Sequence, residues 1–114
     1  MIQIEGKDPM MIANNLTPFI ATHPGEVLKD EFDERGISQK ELAENIGMSY
    51  KAMNDILNER RPVTTETAML FEAALGIPAS VLLNLQTDYN LHAARQNKSL
   101  LSRLASIRRV AAVL

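Results

Sequence analysis

The chain has 114 residues, 46% of them hydrophobic, with a formal net charge of −2 and no cysteine. That length fits one small domain with a modest core, and the lack of cysteine excludes disulfides, thiolate metal sites and thiol catalysis while matching the reducing cytoplasm, where the protein is expected. No run approaches the roughly 18 apolar residues of a membrane span, and Met1-Ile2-Gln3-Ile4-Glu5 lacks the basic and apolar regions of a secretory signal, so no membrane partner is expected.

Residues 1–21 show no sustained period and contain Gly6, Pro9, the pair Asn14-Asn15 and Pro18, which together read as an irregular arm. Met10 and Met11 are further candidate start sites within it. Helical patterning begins at Pro24, whose fixed φ and missing N–H suit a first helical position. Val27, Leu28 and Phe32 share one side of this helix, Gly36 ends it, and His23 is placed for a local capping contact. Asp30, Glu31, Asp33 and Glu34 read as a solvated acidic face rather than as paired catalytic carboxylates.

Ser38-Gln39-Lys40-Glu41 has the form of a capping box, in which the Ser hydroxyl accepts from a backbone N–H and Glu41 reaches back. Leu42, Ala43 and Ile46 give this second helix its apolar face, and Gly47 breaks it. Ser49 is a suitable N-cap for a third helix, with Met53, Ile56 and Leu57 at helical spacing and Arg60-Arg61-Pro62 at its end. Thr64 caps a predicted fourth helix carrying Ala68, Leu70, Phe71, Ala74 and Leu75, stopped by Gly76. Pro78 opens a fifth, with Val81, Leu82 and Leu85, running to about Asn97. Ser99 is the expected cap of a last helix, in which Leu100, Leu104, Ile107, Ala111 and Leu114 form one stripe opposite Arg103, Arg108 and Arg109. No stretch sustains a period of two. The expectation is therefore an all-α protein: a five-helix, lambda-repressor-like helix-turn-helix domain over 22–97, followed by an amphipathic basic tail over 98–114.

The functional signal lies between Gln39 and Asn58. Two short helices crossing steeply with almost no linker need a small residue at their meeting point and a residue that tolerates positive φ in the turn. Ala43 and Gly47 supply these, Ser49 caps the second helix, and Met53 and Ile56 anchor it, all in one register. The second helix of such a pair enters the DNA major groove. Its outward residues are Ser49, Tyr50, Lys51, Asn54 and Asp55, with Asn58 further along. Asn can pair with adenine and Lys with guanine, whereas Asp55 either accepts from cytosine or orients Lys51. Gln39, Lys40, Arg60 and Arg61 flank the groove, where backbone contacts position a protein without reading sequence. A net charge of −2 by itself argues weakly against nucleic acid, but an acidic body with a basic tail binds DNA if its cations cluster where the phosphates run. Residues 1–88 carry 7 Lys/Arg against 14 Asp/Glu, while residues 89–114 carry 5 cations and no acid. Neither His23 nor His92 lies in a triad-like arrangement. No catalytic residue, metal or cofactor is expected, and an enzyme is disfavoured.

Residues 22 to about 92 resemble the XRE-type helix-turn-helix proteins of the HigA antitoxin family, also described as plasmid-maintenance antidote proteins. The matching stretches are Thr22-His23-Pro24-Gly25-Glu26-Val27-Leu28, Leu42-Ala43 with Gly47-Met48-Ser49, and Ile56-Leu57-Asn58-Glu59-Arg60-Arg61-Pro62-Val63-Thr64. Leu83-Asn84-Leu85-Gln86 and Tyr89-Asn90-Leu91 close the match, with Leu83 where the family usually has Trp and Asn90 where Asp is common. The resemblance implies a dimer that binds its own promoter on double-stranded operator DNA and also neutralises a RelE-like ribonuclease toxin encoded beside it. A stand-alone, phage-like repressor without a toxin is the alternative. The tail fits several placements: against its own domain, within a dimer, on the toxin, or on an anionic surface.

Overall fold

In the computed structural model, which describes residues 21–114, the described residues form six α-helices and no strand. These are α1 (Pro24–Arg35), α2 (Gln39–Ile46), α3 (Tyr50–Leu57), α4 (Thr65–Leu75), α5 (Ala79–Ala94) and α6 (Lys98–Ala111). The arm expected over residues 1–21 lies, apart from Ala21, outside the described residues.

The helix boundaries follow local chemistry. The His23 ring caps α1, its Nδ1 accepting from Gly25 N–H at 2.8 Å. The hydroxyls of Ser38, Ser49 and Thr64 accept from the N–H groups of Glu41, Ala52 and Thr67, so three of the expected caps form. Only the Ser half of the capping box is made, because no bond returns from the Glu41 carboxylate to Ser38. Gly36 and Gly76 end α1 and α4.

Three boundaries differ from the sequence reading. Helix α3 ends at Leu57 rather than at Arg60-Arg61-Pro62, because Glu59 takes a left-handed φ of 63° and turns the chain. Helix α5 ends at Ala94 rather than near Asn97. Asn97, not Ser99, caps α6, with its side-chain oxygen accepting from Leu100 N–H at 3.0 Å. A short amide side chain that bonds the backbone just ahead of it favours a cap over helix interior, which accounts for both differences in this region.

The core gathers one stripe from each of the first five helices. Leu28 and Phe32 come from α1, Ala43 from α2, Met53, Ile56 and Leu57 from α3, Ala68, Phe71 and Leu75 from α4, and Leu82 from α5, with Val63 from the α3–α4 connection. Phe32 and Phe71 meet edge to face at a centroid distance of 6.5 Å. The principal pairings are α4 with α5, α2 with α3, α1 with α3, and α1 with α5. Ala74 and Val81, expected on apolar faces, are exposed, since α4 and α5 meet along a narrower stripe through Ala68, Phe71, Leu75 and Leu82. Helix α6 takes no part in the principal pairings and buries no residue.

Candidate nucleic-acid interface

The α2–α3 pair is built around one small residue and one turn. Ala43 is buried at the crossing, so the two backbones approach without a bulky side chain between them. Gly47 follows at φ 76° and Met48 N–H donates to the Ala43 carbonyl at 2.8 Å, which reverses the chain in a single residue. Ser49 then starts α3. Met53, Ile56 and Leu57 bury one face of α3 against α1 and the core, and this fixes which side chains face outward.

Helix α1 holds α3 from behind through a close backbone approach. A side chain on Gly25 would collide with the Ile56 carbonyl, so only glycine fits where α1 begins. His23 is buried and packs edge-on against Tyr89 of α5 at 4.8 Å between ring centroids. Desolvation holds its pKa below the ordinary value of 6.5, an effect partly opposed by the Glu59 carboxylate. Gln86, also buried, accepts from Val63 N–H at 2.8 Å and donates to Asn90 Oδ1 at 3.0 Å. Leu83 packs against the core. The stretches that carry the resemblance at the two ends of the match, His-Pro-Gly-Glu and Asn-Leu-Gln-x-x-Tyr, are thus joined to one another. They clamp α1, α5 and the α3–α4 connection behind α3.

On the outward side, the expected residues fall into a linked set and a separate set. Gln39 and Asn54 join α2 to α3, with Asn54 Nδ2 donating to Gln39 Oε1 at 3.2 Å. Arg60 Nη2 donates to Asn54 Oδ1 at 2.9 Å and to Asp55 Oδ1 at 3.0 Å, while its Nε donates to the same carboxylate oxygen at 3.2 Å. Lys51 Nζ reaches Asp55 Oδ2 at 3.1 Å, and Arg61 Nη2 lies 3.6 Å from it. Asp55 is the buried member, 8% exposed, and the three cations around it are largely exposed. Its carboxyl is held below the ordinary carboxylate range, first by the Lys51 hydrogen bond, then by Arg60, against an opposing desolvation. One anion and three cations leave this patch with a local charge of +2 within an acidic body.

Lys40 and Tyr50 stand exposed, with no side-chain hydrogen bond or ion pair to any of the described residues. The Ser49 hydroxyl is engaged as the cap, and Asn58 Nδ2 donates to the Asn54 carbonyl at 2.9 Å. The Lys51–Asp55 contact has the i, i+4 spacing legible in any helix. The Arg60–Asn54 and Arg60–Asp55 contacts do not. They exist because the left-handed turn at Glu59 folds Arg60 back over α3. Among the described residues no group of three or more His, Cys, Asp or Glu is placed to hold a metal, and no helix is long and apolar enough to cross a membrane.

Comparison with known proteins agrees with this architecture. Residues 28–82 match the helix-turn-helix family model. The chain is 38% identical over 79 residues to virulence-associated protein I of Dichelobacter nodosus, an alignment covering 68% of this chain and 73% of that protein. Among solved structures, antitoxin GraA is 35% identical with a TM-score of 0.66, covering 69% of this chain and 86% of that one. The antitoxin HigA of Pseudomonas aeruginosa, solved with the higBA promoter, is 31% identical with a TM-score of 0.66, covering 74% of this chain and 94% of that one. The chain belongs to the HigA-type antitoxin family of XRE helix-turn-helix proteins. Its helix-turn-helix is of the DNA-binding type, and the two solved relatives named above are antitoxins.

Proposed function

We propose that this protein is a dual-role antitoxin: a dimer that binds a pseudo-palindromic operator, represses its own operon, and neutralises a RelE-like ribonuclease toxin. The observation that carries the DNA-binding part is the outward face of α3. There a locally cationic, amide-bearing patch is held rigidly by the buried face behind it. Ser49, Tyr50, Lys51 and Asn54 face the base edges in this reading, with Asn58 at the end of the helix. Lys40 and Arg61 meet phosphates from either side, and Gln39 supports Asn54. Phosphate contacts supply most of the affinity and make it salt-dependent, and the base contacts supply the choice of sequence. Each domain offers one reading helix, so two half-sites about one helical turn apart give the specificity a regulator needs. The HigA of Pseudomonas aeruginosa with its promoter supports the operator reading. The antitoxin relatives support the toxin-binding role.

Two measurements test this reading. A binding titration on a duplex selected by the protein from a randomised pool is expected to show affinity falling linearly with log salt, and footprinting to show paired half-sites. A flat salt dependence or a single half-site contradicts the DNA reading. Purification from the native host is expected to bring down a small ribonuclease encoded beside this gene, whose RNA cleavage stops on complex formation. Recovery of the antitoxin without it, while its operator is still repressed, leaves a stand-alone repressor.

A further inference from the structure

We infer that Asp55 is a positioning residue for sequence choice: through Arg60 it fixes the orientation of the Asn54 amide, and it contacts no base itself. The inference rests on the DNA-binding reading of α3. The geometry is a relay. Asp55 Oδ1 receives both Nε–H and one Nη2–H of Arg60, which removes the freedom of the guanidinium about its long stem. The other Nη2–H then falls on Asn54 Oδ1 at 2.9 Å. A guanidinium can only donate, so the Asn54 amide is held with its oxygen toward Arg60. That places Nδ2 toward α2, where it donates to Gln39 Oε1 at 3.2 Å.

What remains open on the amide is one lone pair on Oδ1 and one N–H on Nδ2. Adenine offers one donor and one acceptor in the major groove, and an Asn amide matches them only when its two ends face the right way. An unrestrained amide presents either edge and pairs poorly with any one base. The relay selects one edge before DNA arrives, so no ordering of the side chain is needed on binding. Arg60 keeps both Nη1–H groups free, and these point to a phosphate contact that does not disturb the relay.

Asp55 carries a second consequence of opposite sign. Its carboxylate is an anion among the cations Lys51, Arg60 and Arg61, so it weakens attraction for any DNA backbone. The protein therefore gives up general affinity for a defined amide. The isosteric change Asp55→Asn separates the two effects. It is expected to raise affinity for an unrelated duplex and to steepen the salt slope by up to about one. At the same time, preference for the selected duplex over its single-base variants at the Asn54 position is expected to fall about tenfold. In the Asn54→Ala background the same change is expected to cost no further discrimination, because the relay ends on Asn54.

The readouts separate the ways to fail. In the free protein, nuclear magnetic resonance is expected to show the Arg60 Nε–H protected from exchange and the protection lost in Asp55→Asn. An unprotected Nε–H in the wild type overturns the relay without reference to DNA. Parallel loss of affinity on selected and unrelated duplexes, with a lower melting temperature, overturns it in favour of a merely structural Asp55. Loss of discrimination that adds in full to that of Asn54→Ala also overturns it. A wild-type protein that binds no duplex, yet shows the protected Nε–H, overturns the DNA reading instead.

Discussion

Helices α3 and α6 are both amphipathic in sequence, yet among the described helices one is the best covered and the other the least. In α3, eight residues carry Met53, Ile56 and Leu57, each almost fully buried. In α6, fourteen residues bury none, and Ile107 and Val110 are 53% and 60% exposed. Periodicity says which side of a helix is apolar. What covers that side depends on the rest of the chain. Helix α3 is covered because α1, tied to α5 through His23 and Tyr89, lies directly behind it. The first five helices close a core among themselves, and α6 takes no part in their principal pairings.

The contrast makes specific demands on stability, and the largest falls on α3. Met53→Ala is expected to cost about 2–5 kcal/mol, the range for emptying a fully buried side chain, as measured by denaturant unfolding. A cost below about 1 kcal/mol would mean that the buried face collapses easily and does not set the register of α3. Gly25→Ala comes next, at about 1–3 kcal/mol, because the new methyl group must displace the Ile56 backbone rather than a flexible side chain. Here the melting temperature checks stability, and DNA binding at a temperature where the variant stays folded checks whether α3 has been pushed outward.

A third, smaller effect concerns pH. His23 has a folded-state pKa below 6.5, so the unfolded chain binds the proton more readily. Its contribution is complete above the unfolded value and is lost as pH falls through the folded one. Melting temperatures between about pH 7.5 and about pH 5 are expected to fall with this sign. His23→Asn, which keeps a capping acceptor without a titrating ring, is expected to flatten part of that slope. A rise in stability on acidification contradicts the buried, neutral ring. The smallest effect belongs to α6. Ile107→Ser is expected to change stability by no more than about 0.5 kcal/mol, as for an uncovered surface position. A loss comparable to that of Met53→Ala would show that the α6 face is covered in solution and would erase the contrast.

The sequence made much of this legible for a definite reason. Caps, terminating glycines and the Ala43–Gly47–Ser49 register are local, and local hydrogen bonding decides them. The helical fold followed from such signals, whereas the family rested on the resemblance of residues 22 to about 92. Glu59 defeated the reading of where α3 ends, because a left-handed glutamate has no local signature. Asp55 was legible as a partner of Lys51 four residues away, but its bond to Arg60 depends on that same turn. Gln86 and Tyr89 were visible only as members of a recurring motif. Their work, satisfying Val63 N–H and packing on His23, joins segments more than twenty residues apart, and no pattern read along the chain exposes it.

The bond from Val63 N–H to the buried Gln86 also makes the segment between α3 and α4 a ruler. An added residue between Asn58 and Pro62 would put Pro62, which has no N–H, where Val63 now stands, and leave the buried amide oxygen unanswered. The spacing from the reading helix to the helices behind it is therefore fixed to the single residue. The connection at Gln96-Asn97 is exposed and meets no such buried acceptor. Length variation in relatives, and grafts made by design, should accumulate there and be absent from the stretch that Gln86 measures.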